Sequence, residues 1–190
     1  LYTGIELRAL GFNCNLAPVA DVLSNPQNPV IGARSYGDDP QKVASLSAAF
    51  ALGLQDGGVM AVAKHYPGHG DAAVDSHYQL PVVDKSLDAL RQTELVPFTR
   101  LAEQGVGGVM TAHIRFSQLD SSGLPATLSQ PILSGMLRNG ENGGIPFDGL
   151  IFTDSMQMKA ITSQYGMGEA CVLALNAGAD VLVTGAGNTS

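Results

Sequence analysis

The chain has 190 residues, 45% of them hydrophobic, which is enough apolar mass to fill a domain core and excludes a disordered chain. Ten Lys and Arg against 17 Asp and Glu give a formal net charge of -7 with no basic run, so neither a nucleic-acid backbone nor an anionic membrane surface is expected as a partner. No apolar stretch approaches the roughly 20 residues of a bilayer span, and Cys14 and Cys171, the only two cysteines, read as core residues and not as a disulfide framework or a Cys-based zinc site.

In chain order, residues 12–18 form a first apolar run. Asp39 caps a helix with Pro40 at its first position, and Val43, Leu46, Phe50 and Leu54 are expected along one face. A second run, 59–63, closes on Lys64-His65. Ser86 opens the next helix, with Leu87, Leu90, Phe98 and Leu101 in a stripe and a kink expected at Pro97. The run 106–112 closes on His113. A helix from Ser129 carries Ile132, Leu133, Met136 and Leu137, the run 150–152 closes on Thr153-Asp154, and a helix over 168–177 ends at Gly178 before a last run, 181–183, which closes on Thr184. Strands this apolar, without polar alternation, are covered on both faces, as parallel strands between helices are.

Strand and helix alternating with right-handed crossovers leave a barrel or a doubly wound sheet. No Gly-x-Gly-x-x-Gly turn follows any strand, which favours an α/β fold of the (β/α)8 TIM-barrel type. Eight strand-helix units take about 250 residues, and about five strands are visible here. The expectation is therefore a single barrel domain over residues 1–190, incomplete and truncated at both ends.

The polar strand ends gather where such folds build their sites. The densest is Lys64-His65-Tyr66-Pro67-Gly68-His69-Gly70-Asp71, followed by Asp75-Ser76-His77, which holds three of the four histidines within 13 positions. A single loop histidine reads as a surface residue, but this clustering does not. Asp75 stands two residues before His77, so one turn can set its carboxylate against the imidazole and tune it for proton transfer near neutral pH. His65, His69, Asp71 and His77 also have the donor types of a zinc site. Pro67 and Gly68 deny the His-x-x-x-His pair a shared helical face, however, and Lys64 would repel a cation, so no metal is expected. Asp154, at the mouth of a buried strand, reads either as the cap of the following helix or as a carboxylate held for chemistry.

Together with Ala17-Pro18-Val19-Ala20-Asp21-Val22, Asn28-Pro29-Val30-Ile31-Gly32-Ala33-Arg34-Ser35-Tyr36-Gly37 and Phe152-Thr153-Asp154-Ser155-Met156, these motifs resemble the barrel domain of glycoside hydrolase family 3. The Asp-x-His element resembles its β-N-acetylglucosaminidase branch. The resemblance implies a retaining exo-acting hydrolase with Asp154 as nucleophile and His77 as general acid/base, oriented by Asp75. It also implies that Arg34, Lys64 and His65 hold the hydroxyls of a terminal sugar. The substrate implied is β-linked N-acetylglucosamine on peptidoglycan fragments or related oligosaccharides, in bacteria and without a cofactor. A histidine in place of the second carboxylate adds no negative charge, which would also tolerate phosphate as the acceptor. Asp21 is read as a loop hydrogen-bond acceptor, with support of a site residue from behind as the lesser alternative, His69 and Asp71 as loop-forming, and His113 as structural or as such a support and not as a substrate contact.

Four alternatives remain at this stage. A β-glucosidase of the family takes its acid/base from another domain, which Asp75-Ser76-His77 speaks against. A glycoside phosphorylase, a non-catalytic sugar-binding relic and a zinc-dependent amidohydrolase complete the set. The compartment stays open between cytoplasm and export; the insert over 24–29, with two Asn-Pro dipeptides, leans toward the exported members.

Overall fold

The computed structural model describes residues 1–185. Its centre is a four-stranded, all-parallel sheet in the order β1 (Cys14–Asn15), β2 (Met60–Tyr66), β4 (Gly108–Thr111), β6 (Leu150–Phe152). A separate parallel pair is formed by β3 (Val82–Val83) and β5 (Arg115–Phe116), two short segments the apolar runs do not announce. Helices follow the strands: α2 (Pro40–Asp56) precedes β2, α3 (Leu87–Gln92) and α4 (Leu95–Glu103) precede β4, and α5 (Lys159–Thr162) and α6 (Met167–Ala177) follow β6. A π-type helix, Pro131–Arg138, fills the place of the helix expected from Ser129, whose hydroxyl accepts from the Ile132 amide. Four parallel strands with helical crossovers are an arc of a barrel.

Three of the five expected strands are shorter than their apolar runs, and β4 takes only Gly108–Thr111 of the run 106–112. Of the run 12–18 only Cys14 and Asn15 pair as a strand, and of 181–183 only Val181 bridges, to Phe152. The sheet separates two apolar clusters. Ala61, Ala63, Val109 and Ile151 face the helices, while Val62, Met110 and Phe152 form a smaller cluster on the opposite face with Cys14, Leu16, Val181 and Val183. Alternation along each strand sends neighbouring side chains to opposite faces, so both faces must be apolar.

Three local expectations are corrected. The buried face of α2 is Val43, Ala44, Ser47, Ala48, Ala51 and Leu54, and Leu46 is exposed. Packing against α4 and β2 selects the small-residue stripe, because alanines let the backbones approach. The cap of α2 is as expected: the Asp39 carboxylate accepts from the Gln41 and Lys42 amides at 2.8 and 3.2 Å. The break in the third helical segment falls at Thr93 and Glu94 and not at Pro97, which sits in the first turn of α4 where its missing N–H costs nothing. Finally, an unexpected helix, α1 (Tyr2–Ala9), leads the chain and packs against α2 through Gly4. Its residues Tyr2 and Ile5 are exposed, so the sequence carries no clear apolar stripe there.

Candidate active site

Strand β2 delivers the first site residues. Val62 belongs to one face of the sheet and Ala63 to the other, so strict alternation would point Lys64 and His65 apart. The pairing with β4 slips here: Lys64 pairs with Met110 and Tyr66 with Thr111, leaving His65 as an extra residue. Such an insertion re-aims side chains. Lys64 and His65 both reach the same cavity, and Tyr66 turns back to the helices, ring edge to face with Phe98 at 5.5 Å.

The cavity holds about 230 Å³ and is lined by Val30, Arg34, Lys64, His65, His69, Ser76, His77 and Asp154. Arg34, Lys64, His65, His77 and Asp154, which lie up to 120 positions apart, therefore meet as anticipated at the carboxyl ends of the strands. Asp75 joins them through His77: its carboxylate accepts from the His77 amide and from Nδ1, both at 2.8 Å. A carboxylate only accepts, so Nδ1 carries hydrogen and Nε2 is the nitrogen left to exchange a proton. Slight burial works against ionisation of Asp75, yet the hydrogen bonds from His77 hold its pKa below the usual carboxylate value.

Asp21 is the residue whose weight the sequence concealed. It is completely buried; its Oδ1 accepts from the amides of His65 (3.1 Å) and His69 (2.7 Å), and its Oδ2 accepts from Nδ1 of His65 (2.7 Å). Burial opposes its charge, but His65 and then His69 outweigh that and keep its pKa low. With hydrogen fixed on Nδ1, His65 presents Nε2 toward Asp154, 3.9 Å from Oδ2. One buried carboxylate therefore orients the imidazole beside Asp154. The only hint in the sequence was an acidic residue closing an apolar run.

Asp154 is partly exposed, and its Oδ1 accepts from the Ser155 amide at 2.7 Å. It does not cap the next helix, which begins after Met158. His113, buried, fixes this corner: Nε2–H donates to the Ser155 carbonyl at 2.9 Å, and Nδ1 accepts from the Thr127 hydroxyl at 2.8 Å. Burial keeps His113 neutral by lowering its pKa, consistent with that pattern. Burial, and secondarily the Arg34 charge, lower the Lys64 pKa, while Asp154 and Asp21 oppose the shift. Asp71 pairs with Lys85 at 3.2 Å, and Lys85 with the fully buried Glu94 at 2.8 Å. Among the described residues, no three His, Cys, Asp or Glu side chains are grouped as metal ligands.

Two glycines make the loop after β2 possible. Gly68 has φ of +140°, and any Cβ there would lie 2.5 Å from Cβ of Glu94; at Gly70 a Cβ would lie 1.6 Å from the Val22 carbonyl oxygen.

Residues 1–189 match the sequence profile described as the glycosyl hydrolase family 3 N terminal domain. The chain belongs to glycosyl hydrolase family 3. It is similar to Beta-hexosaminidase A of Pseudoalteromonas piscicida, with 38% identity over 94% of this chain and 31% of the relative. It is also similar to Beta-hexosaminidase LpqI of Mycobacterium tuberculosis, with 42% identity over 94% of this chain and 46% of the relative. The chain thus spans less than half the length of either. A solved glycoside hydrolase family 3 β-N-acetylglucosaminidase from Paenibacillus sp. str. FPU-7 superposes with a TM-score of 0.91 at 48% identity, covering 96% of this chain and 34% of that one. NagZ from Neisseria gonorrhoeae, solved in complex with N-trifluoroacetyl-D-glucosamine, gives a TM-score of 0.83 at 36% identity, over 95% of this chain and 50% of its own.

Proposed function

We propose that this chain carries the catalytic centre of a retaining exo-β-N-acetylglucosaminidase acting on terminal β-linked N-acetylglucosamine of peptidoglycan fragments or related oligosaccharides. The observation that carries this reading is the meeting, around one cavity, of the Asp154 carboxylate, the His77 imidazole held by Asp75, and the donors Arg34, Lys64 and His65. The names of the relatives support it. The same reading treats residues 1–190 as part of one catalytic barrel, since four parallel strands do not close on themselves.

In the first half-reaction a carboxylate oxygen of Asp154 attacks the anomeric carbon as the bond to the leaving oxygen breaks, and His77 Nε2–H gives its proton to that oxygen. In the second, His77 takes a proton from water, the hydroxide oxygen bonds to the anomeric carbon, and the ester bond to Asp154 breaks, so configuration is retained. Retaining enzymes normally pair two carboxyl groups. Histidine can replace one because its ordinary pKa lies near neutrality without special burial. The cationic Arg34 and Lys64 suit sugar hydroxyls at a polar cavity wall.

The test is Asp154→Asn in the protein that contains this chain. Turnover should fall by several orders of magnitude while folding and sugar binding persist. Retention of more than a tenth of the turnover would sink the nucleophile assignment.

A further inference from the structure

The segment 73–79 carries Asp75 and His77, yet few bonds hold it. Among the described residues its hydrogen bonds are internal, with one exception. The internal ones join His77 to the Asp75 carboxylate, and the Tyr78 and Gln79 amides to the Asp75 carbonyl at 3.1 Å. The exception is Ser76: its hydroxyl lies 2.9 Å from Nε2 of His69. Ser76 and His69 are each only 2% exposed, whereas the side chain of His77, next to Ser76, is 57% exposed. The middle residue of Asp75-Ser76-His77 is thus buried at the cavity wall against His69, while its neighbour His77 stands exposed at the same cavity.

His69 is a firm post. Its amide donates to Asp21 Oδ1, and its carbonyl accepts from Asn28 Nδ2 at 2.8 Å and from the Ala72 amide at 3.1 Å. Its Nδ1 is buried with no partner. The tautomer with hydrogen on Nε2 leaves only a lone pair unpaired there and makes His69 the donor to Ser76. The same carboxylate that orients His65 therefore also fixes the residue that catches the segment bearing His77.

We propose that His69 and Ser76 form a latch that holds the segment 73–79 in place, and with it presents His77 to the cavity; both are positioning residues. The inference rests on the acid/base role given to His77 above. One buried hydrogen bond biases a two-state segment by about five- to tenfold, and that is the effect to look for.

The experiment uses the protein that contains this chain, in the variants Ser76→Ala, His69→Ala, His69→Gln and His77→Ala. Amide hydrogen exchange is read over 73–79, and kcat and KM are read on an alkyl and on an activated aryl β-N-acetylglucosaminide. Ser76→Ala and His69→Ala should raise exchange over 73–79 and lower kcat on the alkyl substrate but hardly on the aryl one, the two factors multiplying to about five- to tenfold, with exchange of β2 and β4 unchanged. His69→Gln should behave like the parent, because its terminal amide NH2 takes the place of Nε2–H; this keeps the test valid if His69→Ala folds poorly. Unchanged exchange in Ser76→Ala overturns the latch. Raised exchange with unaltered alkyl turnover, while His77→Ala remains sensitive to the leaving group, overturns it as a positioning device. If exchange rises but His77→Ala slows both substrates equally, the latch stands and the acid/base role of His77 falls.

Discussion

Replacing Asp21 by Asn tests the centre of the site without removing an atom. The amide oxygen can keep both backbone bonds of Oδ1, now as neutral bonds. The amide nitrogen, placed where Oδ2 lies 2.7 Å from His65 Nδ1, is a donor facing a donor. His65 must then move its hydrogen to Nε2 or lose the contact. Bonds to a charged group contribute about 1.5–3 kcal/mol each and neutral ones about 0.5–1.5. Across three bonds the loss is about 3 kcal/mol, and release from burying a charge offsets part of it. The net expectation is about 2 kcal/mol at pH 7. The pH dependence follows from the lowered pKa of Asp21. A carboxylate whose folded pKa lies below its unfolded value stabilises fully above the unfolded value, and that contribution is lost as pH falls through the folded pKa. Below the ordinary value of 3.8 the parent therefore approaches the variant. Denaturant unfolding at pH 7, 5 and 3, followed by circular dichroism, should show the difference at pH 7 and 5 and its shrinkage at pH 3. A difference under 0.5 kcal/mol at pH 7, or one that persists undiminished into acid, would refute the account.

Gly70→Ala should cost more than about 3 kcal/mol, since the new Cβ meets the Val22 carbonyl and both partners are backbone. Gly168→Ala, in α6 with open space around it, should stabilise by up to about 1 kcal/mol, and equal effects in a thermal melt would refute the contrast. Glu94→Ala leaves Lys85 and the Ser24 hydroxyl without their buried acceptor and should cost about 2–4 kcal/mol. A melting temperature within 1 °C of the parent would argue that the network contributes nothing.

Much of the architecture was written locally. The runs that became β2, β4 and β6 were legible because strands covered on both faces must be apolar throughout, and the Asp39-Pro40 cap because it needs only neighbours in sequence. Helix α1 was not legible, since its apolar residues do not gather on one buried stripe. The strand lengths at the two ends of the sheet were overread, because apolar content records burial and not pairing.

The site divides along the same line. Lys64, His65 and Asp154 could be singled out because parallel strands send their carboxyl ends to one rim, His77 because it stands in a histidine-rich loop after β2, and Asp75 because it touches His77 two residues away; Arg34, in a 3-10 turn and not at a strand end, was marked by the family resemblance alone. The functions of Asp21 and Ser76 could not. Asp21 meets its partners 44 and 48 positions along the chain, and Ser76 meets His69 only because the loop folds back on itself. Sequence alone determined which segments are buried and which polar residues end them, since period and neighbour chemistry act over a few residues. Tertiary structure decided the extra residue in β2 that turns Lys64 and His65 to one cavity, and the buried carboxylate that orients His65, since register and burial exist only once distant segments pack.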